Sequence, residues 1–539
     1  MGNVIPVYIL AFLTLLLLCE AGLSEQNLLQ LAETPPRGWN SYDSFSWTIS
    51  EPEFLQNAED VSRVLLPHGY QYVVVDYLWY RKKVEGAHQR SIGLDYIDEW
   101  GRLVPDPERW PSSKEGEGFA QVSEKVHAMG LKFGIHVMRG LSVQAFNANT
   151  PIFDTTKGGA YMESGRKWTA RDIGLKDRTC SWAQGFMSIN TSLGAGKAFM
   201  RSLYRQYADW GVDFVKNDCV FGDDFDANEI NVVSEVLKEM DRPILYSLSP
   251  GTNATPKLAK EVSNLVNMYR VTGDDWDLWK HVESHFDVAR DFAAANMIGA
   301  KGLRGKSWPD LDMLPLGWLT DPESSQGPHR MSNLTLDEQR TQMTLWSMAK
   351  SPLMFGGDMR KLDNATHRII AHPILLEINS YSTENKEFPY ISGTKEPAAQ
   401  FPGKANSSHI RSWIANGRRV TLVTCYHGRA CTLAFDTVFI ANRFCILKTC
   451  DLSSPVRSYQ HISTVNVSMD IRRIISSGIS NFAAIYAQEH LMGIITSLPI
   501  GSSSDTDLVR LLFQVRRSVK SRLKSEEIFK IVLIFCCTL

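Results

Sequence analysis

A (β/α)8 TIM barrel followed by a smaller, all-β, sandwich-like domain is the architecture this sequence predicts, and three observations predict it. From about residue 30 to 370, short apolar runs ending in polar or charged residues alternate with longer stretches of helical period, the pattern of repeated βα units on a parallel sheet. That stretch has no Rossmann glycine fingerprint, which favours a closed barrel over an open doubly wound sheet. After about Tyr381 the pattern changes: Gly, Pro, Ser and Asn gather between Ser382 and Ser408, and period-two runs such as Arg419-Val-Thr-Leu-Val-Thr follow.

Each element follows in chain order. Val4 to Cys19 is largely apolar and turns polar at Ser24-Glu25-Gln26, so residues 1–24 read as a signal peptide, although no Lys or Arg precedes the apolar run. Residues 30–380 form the barrel. Its predicted strands are Tyr72–Val75, Lys132–Ile135, Val212–Val215, Ile244–Tyr246, Leu265–Tyr269 and Leu353–Phe355, with helices over Ala198–Trp210, Glu229–Met240 and Leu336–Lys350. Gly185-Phe186 and Gly194-Ala-Gly196 are expected in loops. Residues 381–539 form the second domain, but Cys445 to Leu539 lack clear alternation, and Val515 to Lys524 reads as a basic helical segment.

Composition narrows the function. The chain has 539 residues, 44% hydrophobic and 22% charged, enough for a large core and a further domain, since single cores stop growing near about 250–300 residues. A formal net charge of -2 leaves no basic excess for phosphate, so nucleic acid is not an expected partner and a neutral substrate is. Six Asn-X-Ser/Thr sequons begin at Asn190, Asn253, Asn333, Asn364, Asn406 and Asn466, which suits the secretory pathway. Outside the leader, Cys180, Cys219, Cys425, Cys431, Cys445, Cys450, Cys536 and Cys537 are an even number, compatible with disulfides. No further run is long enough to span a bilayer, so the mature protein is expected to be secreted, without stable membrane association.

In a barrel of this kind, polar groups at the carboxyl ends of strands line the active site. Asp76 follows the run at Val73; His136 follows Phe133-Gly-Ile; Lys216 and Asp218 follow Phe214-Val; Arg270 and Asp274 follow Val266-Asn-Met-Tyr; and Asp312 lies in Trp308-Pro-Asp-Leu-Asp-Met. Isolated charges there would be costly to desolvate without each other or a ligand. Two carboxylates are what glycosidic cleavage needs, one to attack the anomeric carbon and one to protonate the leaving oxygen. Asp218 sits two residues past Lys216, whose charge favours the ionised nucleophile; Asp274 lies farther along its loop, where it can hold a proton.

Five segments then carry a resemblance. Pro36-Arg-Gly-Trp-Asn-Ser-Tyr42, Gly101-Arg-Leu-Val-Pro-Asp106 with Arg109-Trp-Pro111, Gly130-Leu-Lys-Phe-Gly-Ile-His136, Trp210-Gly-Val-Asp-Phe-Val-Lys-Asn-Asp218 and Pro309-Asp-Leu-Asp-Met-Leu314 closely resemble, in the same order, the motifs of family 27 glycoside hydrolases, the α-galactosidase or melibiase family. The resemblance covers roughly residues 33–380. It implies a retaining exo-hydrolase with Asp218 as nucleophile and Asp274 as acid/base, no metal and no cofactor. It also implies that Lys216, Arg270, Asp76 and Asp312 bind sugar hydroxyls, and that Cys180 and Cys219 form a disulfide, though Cys219 follows the nucleophile directly where the family usually has one residue between.

Two departures refine the substrate. The family usually carries two consecutive aspartates after the second strand, for the axial O4 and exocyclic O6 of galactose; here the pair is Asp76-Tyr77. A β-L-arabinopyranoside has the ring arrangement of an α-D-galactoside without the C6 hydroxymethyl, so the aromatic removes a demand only galactose satisfies, as in the β-L-arabinopyranosidase branch. Ser247-Leu-Ser249-Pro-Gly replaces the family's Cys-Glu-Trp type of segment on the 2-hydroxyl side, a place where small residues also admit an N-acetyl group, so α-N-acetylgalactosaminidase is an alternative. A carbohydrate-binding barrel that has lost catalysis is the rival of another class, and an absent carboxylate of the pair would have favoured it. His136 stands where many relatives have Tyr and Tyr42 where many have Trp; both are expected sugar contacts. The oligomeric state is not legible.

Overall fold

The computed structural model describes residues 30–387, 411–416 and 421–426. They fall into two compact units, one ending at Ser380 and one starting at Tyr381.

In the first unit eight parallel strands make the barrel: β1 (Arg37–Asn40), β2 (Tyr72–Val75), β3 (Lys132–Met138), β4 (Phe214–Asp218), β5 (Leu245–Leu248), β6 (Met268–Arg270), β7 (Gly305–Asp310) and β8 (Leu353–Phe355). They are hydrogen-bonded in the order β7-β6-β5-β4-β3-β2-β1-β8. The ring closes just past β7, where Leu314 bridges Phe355 in parallel and its N–H bonds Met354 O at 2.8 Å. Helices cover the outside, among them α1 (Glu51–Asp60), α2 (Ala120–Ala128), α3 (Gly194–Asp209), α4 (Ala227–Glu239), α5 (Pro256–Val262), α6 (Trp279–Ala294) and α7 (Leu336–Met348), each between consecutive strands.

Side-chain alternation along the strands builds the site. Tyr72, Val74, Phe214, Leu245, Met268, Met313 and Met354 pack as one buried cluster in the barrel interior. Two residues farther along the same faces come Asp76, Lys216, Ser247 and Arg270, and four residues past Phe214 comes Asp218. Parallel register sets His136 beside Lys216, Met138 beside Asp218 and Arg270 beside Asp310. Gly134 makes the crowding tolerable, since a Cβ there would meet Val74 Cγ2 at 2.9 Å and Phe214 Cβ at 3.0 Å.

Several expectations shift. β1 and β7 were not placed as strands. Leu265 ends a 3-10 turn (Ser263–Leu265) and the strand begins at Met268. Gly194-Ala-Gly196 is not a loop but the first turn of α3; Gly196 fits there because a Cβ would come within 2.1 Å of Asn190 O. A small antiparallel sheet of Leu141–Ser142, Gly174–Thr179 and Phe186–Ile189 flanks the strand ends.

The second unit contains an antiparallel three-stranded sheet: β9 (Thr383–Glu387), β10 (Arg411–Asn416) and β11 (Thr421–Tyr426). Trp413 is buried in it. The leader, Arg419, the segment from Cys431 onward and the basic stretch from Val515 to Lys524 lie outside the described residues. No helix among the described residues is long and apolar enough to cross a membrane.

Candidate active site

The floor of the site is made by the ends of β1 to β4. Asp76 Oδ2 accepts from Lys216 Nζ at 3.0 Å and from Asn40 Nδ2 at 2.6 Å, while its Oδ1 accepts from the Tyr77 N–H at 2.8 Å. Burial pushes the Asp76 carboxyl up, but the charges of Lys216 and His136 and these hydrogen bonds outweigh it and hold the group down to about 2. Lys216 answers in kind: burial disfavours its charge, yet Asp76, Asp312 and Asp218 raise its affinity for a proton well above the ordinary value.

Asp218 ends β4 with its side chain 12% exposed and both oxygens engaged. Oδ2 lies 2.8 Å from His136 Nε2 and Oδ1 accepts from the Cys219 N–H at 2.6 Å. His136, expected as a sugar contact, is thus placed as the partner of the other expected residue, Asp218.

The opposite wall comes from the β6 and β7 ends. Arg270 Nη2 reaches Asp312 Oδ2 at 2.7 Å, Asp274 Oδ1 at 3.3 Å and the carbonyl of Gly273. Burial raises the Asp312 carboxyl; Arg270 opposes, and the neighbouring charges of Asp275 and Asp274 add to the rise. Asp312 also accepts from the Asp275 N–H at 2.8 Å, and behind it His285 Nε2 lies 2.9 Å from Asp275 Oδ2. Asp274 itself keeps 62% of its side chain exposed.

Aromatic rings join the two walls. Tyr77 packs edge-on against His136 at 5.3 Å between centroids and Tyr42 at 6.3 Å, and tilted against Trp182 at 5.8 Å; Tyr42 continues to Trp276 at 6.0 Å. Burial, then the charges of Asp218 and Asp274 among others, raises the Tyr77 hydroxyl, so its ring stands within electrostatic reach of both carboxylates. Ser249 follows β5 and is 1% exposed, with its hydroxyl unpaired among the described residues. Cys180 and Cys219 form a disulfide, with Cα atoms 6.1 Å apart. Asp224 lies close to both sulfurs, but their bond to each other leaves no thiolate pair for a metal.

The structure therefore gathers Asp218, Asp76, Lys216, His136, Tyr77 and Tyr42 on one side and Arg270, Asp274 and Asp312 on the other. Sequence reasoning missed Asn40, Trp276, Trp182, Asp275 and His285. Asn40 could have been found, since it stands in the quoted Trp-Asn-Ser segment. One quoted motif is framework: Arg109 is buried, bonds Asp106 Oδ2 at 3.2 Å and donates to the carbonyls of Trp47 and Leu78 at 2.5 and 2.6 Å.

Comparison with known proteins places this geometry. Residues 193–381 match the family model Melibiase_2, described as alpha galactosidase A. The family 27 (GH27) β-L-arabinopyranosidase of Geobacillus stearothermophilus is 33% identical, the match covering 74% of this chain and 84% of that one, with a TM-score of 0.63. An Asp-to-Ala variant of that enzyme, in complex with arabinose, is 32% identical with the same TM-score and covers 75% and 87%. The α-galactosidase mel1 of Schizosaccharomyces pombe is 24% identical over 368 residues, 64% of this chain and 66% of the relative, so the match spans just under two thirds of that protein's length. The α-N-acetylgalactosaminidase of Gallus gallus is 27% identical over 65% of this chain and 71% of its own.

Proposed function

The chain belongs to glycoside hydrolase family 27, and from that membership we propose that it removes terminal β-L-arabinopyranosyl and α-D-galactosyl residues from glycans by double displacement, with retention of configuration. Asp218 attacks the anomeric carbon while Asp274 gives its proton to the departing glycosidic oxygen. In the second step the Asp274 carboxylate takes a proton from water, the water oxygen bonds to the anomeric carbon, and the bond to Asp218 breaks. Asp76 and Asp312 accept from sugar hydroxyls, and Lys216 and Arg270 donate to them. Neither step draws on a metal or cofactor.

The observation that carries the reading is the contrast within the carboxylate pair. Asp218 is fixed through both oxygens beside His136, as an attacking group must be; Asp274 is tethered by Arg270 yet open to water, as a proton carrier must be. Tyr77 in place of a second aspartate supports the pentose, because an aromatic ring packed on His136, the partner of Asp218, stands at the position where the family usually has an acceptor for O6. The Geobacillus relative is itself an arabinopyranosidase. The α-N-acetylgalactosaminidase alternative has the weaker support: the relative of that activity is 27% identical, against 33% for the arabinopyranosidase. The Cys180–Cys219 disulfide and the exposed sequon residues Asn253, Asn333 and Asn364 support a secreted enzyme.

The test is kcat/KM on paired p-nitrophenyl β-L-arabinopyranoside and α-D-galactoside, with the first-formed anomer followed by NMR. The expected result is a value for the arabinoside equal to or above that for the galactoside, and a retained product. A strong preference for galactoside would replace this reading with a plain α-galactosidase, and no turnover of either would remove it.

A further inference from the structure

We infer that Trp182 forms a separate subsite for the leaving group, a stacking platform for a pyranose ring of the glycan from which the terminal sugar is cut. The inference rests on the proposed hydrolase activity and goes beyond it to the half of the substrate that departs.

The direction of the leaving group follows from burial. The groups assigned to the terminal sugar are enclosed: the side chains of Asp76, Arg270 and Asp312 are 2% exposed. The acid that must reach the glycosidic oxygen, Asp274, is 62% exposed, so the departing ring lies on the open side with it. Tyr77 feels the charge of both Asp218 and Asp274, and on Tyr77 packs Trp182. The rings touch in series, from buried Trp276 through half-buried Tyr42 and buried Tyr77 to Trp182, which is 44% exposed on the open side of the site.

A single exposed apolar side chain is ordinary on a protein surface. Trp182 is set apart by how firmly its short turn is held. Cys180 is bridged to Cys219, next to the nucleophile. The Ser181 hydroxyl bonds Asp224 at 2.6 Å, the Ala183 N–H meets Cys180 Sγ at 3.4 Å, and the Cys180 N–H donates to Phe186 O at 2.9 Å. The indole is therefore offered to solvent from a rigid support, so little ordering is left to oppose binding. A pyranose suits such a face: its axial C–H groups can lie on the ring while its hydroxyls stay in water.

The experiment compares wild type, Trp182→Ala and Trp182→Phe on two substrates with the same terminal sugar. One is α-galactosyl fluoride, whose leaving group is a single atom; the other is a disaccharide of α-galactose on glucose. For Trp182→Ala the fall in kcat/KM on the disaccharide should exceed that on the fluoride by about tenfold, chiefly through KM, and Trp182→Phe should recover most of it. Equal losses on the two substrates, or no loss on the disaccharide, would overturn the subsite while leaving the hydrolase intact. A wild type inert on the fluoride and on p-nitrophenyl β-L-arabinopyranoside alike would instead overturn the activity, and the subsite with it.

Discussion

Asp218 closes a barrel strand and Asp274 lies four residues beyond one, and that offset separates their surroundings. The strand end holds Asp218 in the register of β3 and β4, with His136 and the Cys219 N–H on its two oxygens. The β6 loop carries Asp274 out to 62% exposure, with buried Arg270 as its tether. A group that forms a bond to carbon gains from immobility, because misplacement by an ångström is costly. A group that exchanges a proton with water gains from access. On the proposed mechanism, two chemically identical side chains are thus fitted to different tasks by where the hydrogen-bonded ladder stops.

The largest expected effects test that contrast directly. Asp218→Ala should abolish turnover, and azide should restore it with a glycosyl azide of inverted configuration. Asp274→Ala should keep much of its activity on activated aryl glycosides, lose about 100- to 10,000-fold on substrates with poor leaving groups, and give an azide of retained configuration. NMR of the azide products separates the two. Substantial wild-type activity in Asp218→Ala, or equal losses on both substrate classes in Asp274→Ala, would exchange or remove the assigned roles.

An intermediate effect is expected at Tyr77, which bridges the floor and the rim. Tyr77→Asp restores an acceptor for O6, worth roughly 1–3 kcal/mol, so the galactoside to arabinoside ratio of kcat/KM should rise about ten- to a hundredfold. An unchanged ratio would show that the ring belongs to the barrel wall and not to specificity.

How legible each part was follows from the range of the interactions that make it. Tyr72–Val75 and Leu353–Phe355 are apolar runs and stand where the pattern puts them. β7 reads Gly-Lys-Ser-Trp-Pro-Asp, with Trp308 the one large apolar residue, so no run announces it; its hydrogen bonding to β6 makes it a strand. The first turn of α3 was hidden by two glycines whose reasons are neighbours the sequence does not reveal, the Tyr161 hydroxyl at Gly194 and the Asn190 carbonyl at Gly196. In the site, groups at strand ends could be read from position alone. His285 could not, because it lies on α6 and meets the active-site loop from behind, through Asp275 and Thr272.

That last contact carries the smallest expected effect and a pH signature. His285 is fully buried, Nδ1 lies 2.6 Å from His281 O, and Nε2 faces Asp275 and the Thr272 hydroxyl. Burial opposes its charge, but the hydrogen bond and charge of Asp275 win and raise its proton affinity above the ordinary 6.5. A raised folded value means the imidazolium contributes stability fully below about 6.5 and loses it as pH rises through the folded value. Wild-type Tm should therefore decline from mildly acidic toward alkaline pH, and His285→Gln should flatten that decline while lowering Tm most on the acidic side. The Asp275 N–H bonds the Asp312 carboxylate, so the variant should also lose a few-fold in kcat/KM through a looser rim, with the Asp218 side untouched. Thermal unfolding of both proteins across pH 5 to 9 checks it; identical slopes would mean that His285 is neutral throughout and braces the loop by packing alone.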